Sequence, residues 1–383
     1  MSDALYLVAG EPSGDAHGAA LMRALRLTRP ELKLLGRGGA KMQEVGGAGF
    51  MNWSDAAAVV GLWEVIRRYG YFRQQFAATL DEIAESAPAA VVLIDYPGFN
   101  LRLGRVLRAH KPSLKIIYYI SPQVWAWNRA RIPRMARWLD LMLCIFPFEA
   151  DLYNQSGLRT LFVGHPMLEI LATPNESEVI RDPDLIGLFP GSRLREVRKI
   201  LPLMLGAAMH ILKEKPTARF EVAAASTSLV PEITRLVARS QLPREKLGVV
   251  VGQAASLFRR AWVGLVASGT ATLEAARFRM PFVLVYKVAW LTYFAARAVV
   301  KSKFLGMPNV LANRAIVPEF IQHHAKPRTI ARHVLRFAGN PSARELVISE
   351  FDAIIPELGG GGASAAAAAA ILDEIAAKRP EED

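Results

Sequence analysis

The chain has 383 residues, 52% of them apolar and 21% charged, which excludes an intrinsically disordered polypeptide. At about 150 residues per domain the length points to two domains, and a chain this long can bury a sizeable core. Lys and Arg number 47 against 35 Asp and Glu, a net charge of +12, so the expected partners are anionic: phosphates, acidic lipid or nucleic acid.

At the N-terminus no basic segment precedes a long apolar run, so no signal peptide is expected. Residues 5–9 form an apolar run that leads into Gly10-Glu11-Pro12-Ser13-Gly14 and a helix to about Leu27. A strand ending near Leu35 is followed by Gly36-Arg37-Gly38-Gly39. Residues 90–94 lead into Asp95-Tyr96-Pro97-Gly98 and a helix to about Ala109. Residues 116–120 precede Ser121-Pro122, and residues 141–146 precede Pro147-Phe148-Glu149. The pattern restarts after a polar stretch, residues 172–184, that reads as a linker. Residues 185–189 lead into Pro190-Gly191-Ser192-Arg193 and a helix, and residues 219–223 and 247–251 are further strands. Residues 263–267 precede Ser268-Gly269-Thr270, and residues 282–286 close the series. These runs are apolar throughout rather than alternating, as strands of a parallel sheet covered on both faces must be. The count predicts two doubly wound α/β domains with a cleft between them. An uncharged stretch from Gly359 to Leu372, about 14 residues, falls short of the ~18–20 needed to span a bilayer. Its glycines suggest a loop leading into an Ala-rich helix.

Ligands of open α/β sheets bind beyond the carboxyl ends of the strands, which selects four loops. In the first, Gly10, Gly14 and Gly18 are spaced G-x3-G-x3-G rather than G-x-G-x-x-G, and Glu11 and Asp15 place negative charge where a pyrophosphate would sit. A dinucleotide is therefore not expected. The choice is between a turn with Asp15 capping a helix and an acidic loop facing a ligand. The second loop holds Asp95, either a helix cap or a carboxylate placed to take a proton from a hydroxyl nucleophile. The third, residues 190–193, offers backbone N–H groups at a helix start together with the permanent charge of Arg193, a combination suited to phosphate. The fourth, Ser268-Gly269-Thr270, offers another such helix start, with Glu274 one turn on and able to reach a ribose diol. Acidic loops thus belong to the first half and phosphate-suited loops to the second.

The lone Cys144 excludes an internal disulfide and a paired-cysteine metal site, and a reducing cytoplasm is the natural compartment. Asp182-Pro183-Asp184 sits in the linker rather than at a strand end, so no metal is implied. His17 and His165 are isolated and read as structural. Leu62, Val65, Ile66, Tyr69, Phe72, Phe76 and Leu80 form one helical stripe, with Trp63 and Tyr71 broadening it and Arg67, Arg68 and Arg73 alongside. Such a helix either lies in a bilayer interface or packs on the sheet. Arg129, Arg131, Arg134 and Arg137 form a second basic cluster after Trp125 and Trp127, and a third amphiphilic segment spans residues 290–304. No recognition helix or RNA module accompanies these patches, so nucleic acid is not an expected partner.

Taken in order, Val8-Ala9-Gly10-Glu11, Ser13-Gly14-Asp15, Asp95 with Pro97 and Phe99-Asn100, residues 121–127, Phe146-Pro147-Phe148-Glu149 and Gly164-His165-Pro166 resemble one family. Pro190-Gly191-Ser192-Arg193, residues 267–274, Pro308-Asn309 and Glu319-Phe320-Ile321-Gln322 continue the match. The family is that of the lipid-A-disaccharide synthases, bacterial glycosyltransferases that join two acylated glucosamines. The resemblance implies a GT-B fold, two Rossmann-like domains with an interdomain cleft. It implies UDP-2,3-diacylglucosamine as donor, 2,3-diacylglucosamine 1-phosphate as acceptor, inversion, and no cofactor or required metal. Carried over residue by residue, Asp95 and Glu11 match the catalytic carboxylates. Ser192, Arg193, Ser268, Gly269, Thr270, Glu274, Asn309 and Gln322 match the UDP-sugar side, and Gly10, Ser13, Gly14 and Asp15 the acceptor loop. Leu62, Trp63, Ile66, Arg67, Arg68, Tyr69, Phe72 and Arg73 become the membrane-facing helix. The expected setting is the cytoplasmic face of the inner membrane of a Gram-negative bacterium, with an anionic membrane surface as partner and a homodimer compatible with it. The expected domains are residues 1–172 and 185–345, with a C-terminal helical segment from 346 that packs back on the first. Rival readings are another GT-B enzyme, such as a UDP-sugar epimerase, and a non-catalytic basic binding protein.

Overall fold

The computed structural model describes residues 3–53, 69–170, 180–290, 293 and 302–377. The chain forms two units, Met1–Ala172 with Leu358–Asp383, and Thr173–Glu357. The sheet of the first comprises β1 (Ala4–Ala9), β2 (Lys33–Gly38), β3 (Phe50–Asn52), β4 (Ala90–Ile94), β5 (Lys115–Tyr119), β6 (Leu141–Cys144) and β7 (Thr160–Phe162). They lie in the order β3-β2-β1-β4-β5-β6-β7, every pair parallel. The second unit repeats the plan with β8 (Asp182–Phe189), β9 (Arg219–Ala224), β10 (Leu247–Val251), β11 (Ala261–Ala267), β12 (Phe282–Tyr286) and β13 (Glu319–Ile321). Their order is β10-β9-β8-β11-β12-β13, again all parallel. Each is the strand order of a Rossmann sheet.

Every apolar run expected to be a strand is one. Tyr6, Val8, Val91, Leu93, Ile116 and Tyr118 form one buried face with Phe99, Leu103 and Leu107. The alternate residues Leu5, Leu7, Val92 and Ile117 are fully buried as well, which is why the strands read as continuous apolar runs. The unforeseen strands β3, β7 and β13 have three residues each and lie at sheet edges, too short to leave a pattern. The polar stretch read as a linker is also shorter than expected. β8 begins at Asp182, so Asp182-Pro183-Asp184 opens a strand, with Arg219 paired to Asp182 and Lys215 to Asp184. A proline is tolerated there because the first residues of a strand need no full ladder.

The stripe expected to face a membrane divides at the boundary of the described residues. Leu62, Trp63, Ile66, Arg67, Arg68 and the side chain of Tyr69 lie outside them. Within the helix Tyr69–Ser86, Phe72, Phe76 and Leu80 pack on the core beside β1 and β4, and Arg73 is exposed. Phe72 is therefore a packing residue, a correction to its placement on a membrane face. Arg37, fully buried on β2, anchors this helix: its Nε donates to Glu82 Oε2 at 3.1 Å, and it also bonds Gln75, while Tyr6 donates its hydroxyl to Glu82.

By length and mean hydropathy (1.2), Pro341–Ala376 is apolar enough to cross a bilayer. Folded, it is two 14-residue helices, Pro341–Ile354 in the second unit and Ala363–Ala376 in the first. Between them Gly359, Gly361 and Gly362 take positive φ, which breaks the helix. Ala363–Ala376 packs on the helix Pro12–Thr28, and Glu374 pairs with Lys115 and Arg159. Replacing Glu82 by Leu would leave the Arg37 guanidinium buried without its anion. A loss of about 3 kcal/mol is expected in chemical denaturation, with the midpoint falling and the slope unchanged.

Candidate active site

In each sheet the strand order reverses once, between β1 and β4 and between β8 and β11. Helices after such a pair leave toward opposite faces, and the loops open a crevice at the carboxyl ends. The four loops selected from the sequence are the ones at these two points.

In the first unit Ala9 pairs with Ile94, so Gly10-Glu11 and Asp95-Tyr96 lie side by side. They pack so closely that a Cβ on Gly10 would stand 2.3 Å from the Tyr96 ring. Asp95 and Tyr96 both take left-handed backbone, φ +46 and +50, a strain of roughly 1–3 kcal/mol each. Neighbouring groups hold it. Asp95 N donates to the Tyr119 carbonyl at 2.9 Å, and the Asp95 carbonyl accepts from Tyr118 Oη at 2.6 Å and Asn100 Nδ2 at 2.8 Å. Asn100 Nδ2 also reaches the carbonyls of Val8 and Ile94, both at 3.2 Å, tying the ends of β1 and β4 together. Burial raises the Asp95 carboxyl to about 6, the nearby Glu11 charge pushes it the same way, and the Tyr96 N–H opposes the shift. A carboxyl in that range is ionised at neutral pH yet still basic enough to accept a proton.

Asp15 has another task. Its carboxylate, buried, accepts from the backbone N–H groups of Gly39 (2.8 Å), Lys41 (3.0 Å) and Met42 (2.9 Å). It caps the helix Ala40–Gly46, not its own. Ser13 is exposed and Gly14 buried at the start of Pro12–Thr28. The two histidines read as structural are both held neutral by burial, His165 lowered to about 4 and His17 also lowered.

In the second unit Phe189 pairs with Val266, which brings residues 190–193 beside residues 268–270. Gly191 has φ +104, and a Cβ there would meet Glu196 Oε2 at 2.5 Å, so only glycine closes this turn. Ser192 and Arg193 are exposed, and the Arg193 guanidinium lies 3.5 Å from Glu196. Gly269, φ +140, and Thr270 are also exposed ahead of the helix Ala271–Arg277. Ser268 Oγ reaches the Leu305 carbonyl at 3.5 Å, and the Glu274 carboxyl, half-buried, is raised by desolvation.

Asn309 does not present a free amide to a ligand, and Gln322 is engaged with backbone at both ends of its amide. Asn309, fully buried, donates to the Val317 carbonyl and Glu319 Oε1, both at 2.8 Å, and accepts from Ile316 N (2.7 Å) and Val317 N (2.9 Å). Two donors and two acceptors use the whole amide. Glu319 accepts in addition from Leu305 N and Gly306 N, both at 2.9 Å. The pair thus shapes the segment that touches Ser268. Gln322 is bound at both ends to the Val288 backbone, accepting at 3.2 Å and donating at 3.3 Å. Both act on the loops around the site. The sequence reading placed Asn100 and Glu319 in matching motifs without giving them a role, and it passed over Tyr118, whose hydroxyl lies in an otherwise apolar strand.

The profile of a family described as lipid-A-disaccharide synthetase matches residues 5–349. A lipid-A-disaccharide synthase of Coxiella burnetii (strain Dugway 5J108-111) is 35% identical over 362 residues, 92% of this chain and 94% of its own. One of Trichlorobacter lovleyi is 36% identical over 363 residues, 93% of each. Among solved structures, a putative UDP-N-acetylglucosamine 2-epimerase from Listeria monocytogenes superposes with a TM-score of 0.65 at 12% identity over 100% of both chains. The calicheamicin glycosyltransferase CalG4 does so at 0.61 and 16%, over 98% of this chain and 99% of its own. At those identities the likeness establishes the fold, the two-unit α/β architecture of GT-B enzymes.

Replacing Asn309 by Ala strands several backbone groups at once. Its unfolding midpoint should fall by the equivalent of about 2–3 kcal/mol, whereas a residue serving only to touch a ligand would leave the midpoint of the free protein unchanged.

Proposed function

This chain belongs to the lipid-A-disaccharide synthase family and is a glycosyltransferase of lipid A disaccharide synthesis, and from that premise we propose that it joins UDP-2,3-diacylglucosamine to 2,3-diacylglucosamine 1-phosphate with inversion. The observation that carries the chemistry is the Asp95 carboxyl, strained into place at the first switch point and raised to about 6. In this reading the acceptor 6-hydroxyl attacks the donor's anomeric carbon from the face opposite UDP. Its proton passes to Asp95, the bond from the anomeric carbon to the UDP oxygen breaks, and UDP leaves. Glu11 adds negative charge beside Asp95 and keeps it basic. Charge develops on the departing diphosphate, and exposed Arg193 with the helix starts after Gly191 and Gly269 suits it. Glu274 is assigned to the ribose. No metal enters the scheme, so turnover should survive EDTA.

The acyl chains of both substrates call for access to a lipid surface. Arg129, Arg131, Arg134 and Arg137 are exposed, and the Arg131 guanidinium stands 4.6 Å above the Trp127 ring. We assign peripheral attachment on the cytoplasmic face of the inner membrane, with this patch meeting anionic headgroups. Retention on anionic liposomes should fall as salt rises and fall again in Arg129→Glu/Arg134→Glu; retention indifferent to both would remove the patch from the reading.

The deciding assay supplies both acylated substrates in detergent micelles and follows the products by mass spectrometry. A disaccharide 1-phosphate should form only when both are present. Turnover of water-soluble UDP-N-acetylglucosamine alone would instead favour an epimerase. Asp95→Asn should lower kcat by about 10²–10⁴ and leave UDP affinity nearly unchanged. Because Asp95 must be ionised to act, kcat/KM should rise with pH through about 6. Glu11→Gln removes a charge that raises the Asp95 pKa, so this limb should move to lower pH; a limb that stays in place would separate the two carboxylates.

A further inference from the structure

Glu149 is a buried ionisable group that the scheme above does not use. It is the third residue of the helix Pro147–Asn154, and its exposure is 0%. Its carboxylate accepts from Trp125 Nε1 at 2.8 Å and from the Phe146 N–H at 3.3 Å. Among the described residues no basic side chain pairs with it; burial raises it to about 7, and the hydrogen bonds it accepts oppose that shift. One helical turn on, on the same face, Tyr153 donates its hydroxyl to the Pro122 carbonyl at 2.6 Å. Phe148 meets the Trp125 ring edge-on at 5.0 Å and stacks on Phe146 at 5.8 Å. A single short helix after β6 therefore grips the loop after β5 at two points, Pro122 and Trp125.

That loop continues the strand that holds Asp95. Tyr118 and Tyr119 of β5 bond the Asp95 backbone, and residues 121–127 follow directly. Between the gripped points the loop exposes Gln123, and beyond them the half-exposed Trp127 stands with Arg131 over its ring. A planar apolar surface beside a permanent cation matches an acylated sugar that carries a phosphate. Burying a carboxylate on neutral donors alone is costly. In exchange, the ionised form makes charge-assisted bonds, shorter and stronger than those of a neutral amide, and two N–H groups are held at once.

We propose that Glu149 is a positioning residue for the acceptor: through Trp125 it sets the 121–127 loop, and with it Trp127 and Arg131, at the end of the strand that bonds the Asp95 backbone. The inference rests on the glycosyl-transfer reading and deepens its acceptor side. The test is steady-state kinetics in mixed micelles on the wild-type chain, Glu149→Gln, Trp125→Phe and the double variant, with UDP affinity measured alongside. Trp125→Phe keeps an aromatic ring against Phe148 and removes the N–H with part of the indole, and the split between acceptor and donor KM separates the lost bond from lost packing if Glu149→Gln does not fold.

Each single variant should raise the acceptor KM about tenfold, the scale for losing a hydrogen bond to a charged group. Donor KM and UDP affinity should stay within about twofold, and the double variant should be no worse than the poorer single one, because both act on the same bond, which Trp125→Phe deletes and Glu149→Gln reduces to a bond with a neutral amide oxygen. An unchanged acceptor KM in Trp125→Phe overturns the proposal. So does a parallel loss on donor and acceptor, which marks a merely structural role, or an additive loss in the double variant. Absence of disaccharide from the wild-type chain would instead sink the reaction assigned above, and the two failures are read from different samples.

Discussion

A parallel sheet whose strand order turns back on itself cannot send all its crossover helices to one face. At the reversal, two neighbouring strands release their chains in opposite directions, and the space between the two loops is left open. Both sheets of this protein reverse at the corresponding place, between the first and fourth strands of each. That constraint brings Glu11 within electrostatic reach of Asp95 although they lie far apart in sequence. It likewise puts the Gly191 and Gly269 turns side by side. The chemistry assigned to the protein depends on these two adjacencies before it depends on any single side chain.

The first unit keeps its acids under unusual conditions. Asp95 occupies strained backbone next to another carboxylate, and Glu149 is buried on neutral donors. Neither arrangement would persist in a loop free to relax. Each is over-determined by the rigid strands beneath it: three hydrogen bonds to the Asp95 backbone and the two-point grip of the helix Pro147–Asn154 on the next loop. Desolvation, joined at Asp95 by the Glu11 charge, raises the carboxyl pKa values here, and the same burial makes the groups useful. The second unit shows the complementary solution: its two switch-point turns are short, glycine-bearing and exposed, with Arg193 beside them.

Between these extremes lies a set of polar residues that shape the loops without being open to a ligand. Asp15 caps a neighbouring helix, Asn309 uses its whole amide on backbone and Glu319, and Gln322 clasps Val288. Their chemistry resembles that of binding residues because the task is the same. A buried backbone group needs a partner as much as a substrate oxygen does. Where such residues adjoin a site, a family pattern marks both kinds alike.

The sequence by itself determined the fold class, the long strands and the four loops at their ends. Parallel strands buried on both faces leave continuous apolar runs, and turns that need glycine or precede a helix announce themselves locally. The edge strands β3, β7 and β13 escaped because three residues carry no period, and Asp182–Asp184 passed for linker because charges at a strand's start look like a loop. What only the tertiary structure decided was which polar side chains already have their partners. That Asp15 serves Gly39, that Phe72 packs on the core, that Arg37 finds Glu82, and that Asp95 lies near Glu11 while Glu149 meets Trp125 are all long-range facts. A residue type shows what bonds it is able to make; only its position in the folded chain shows which of them are already made.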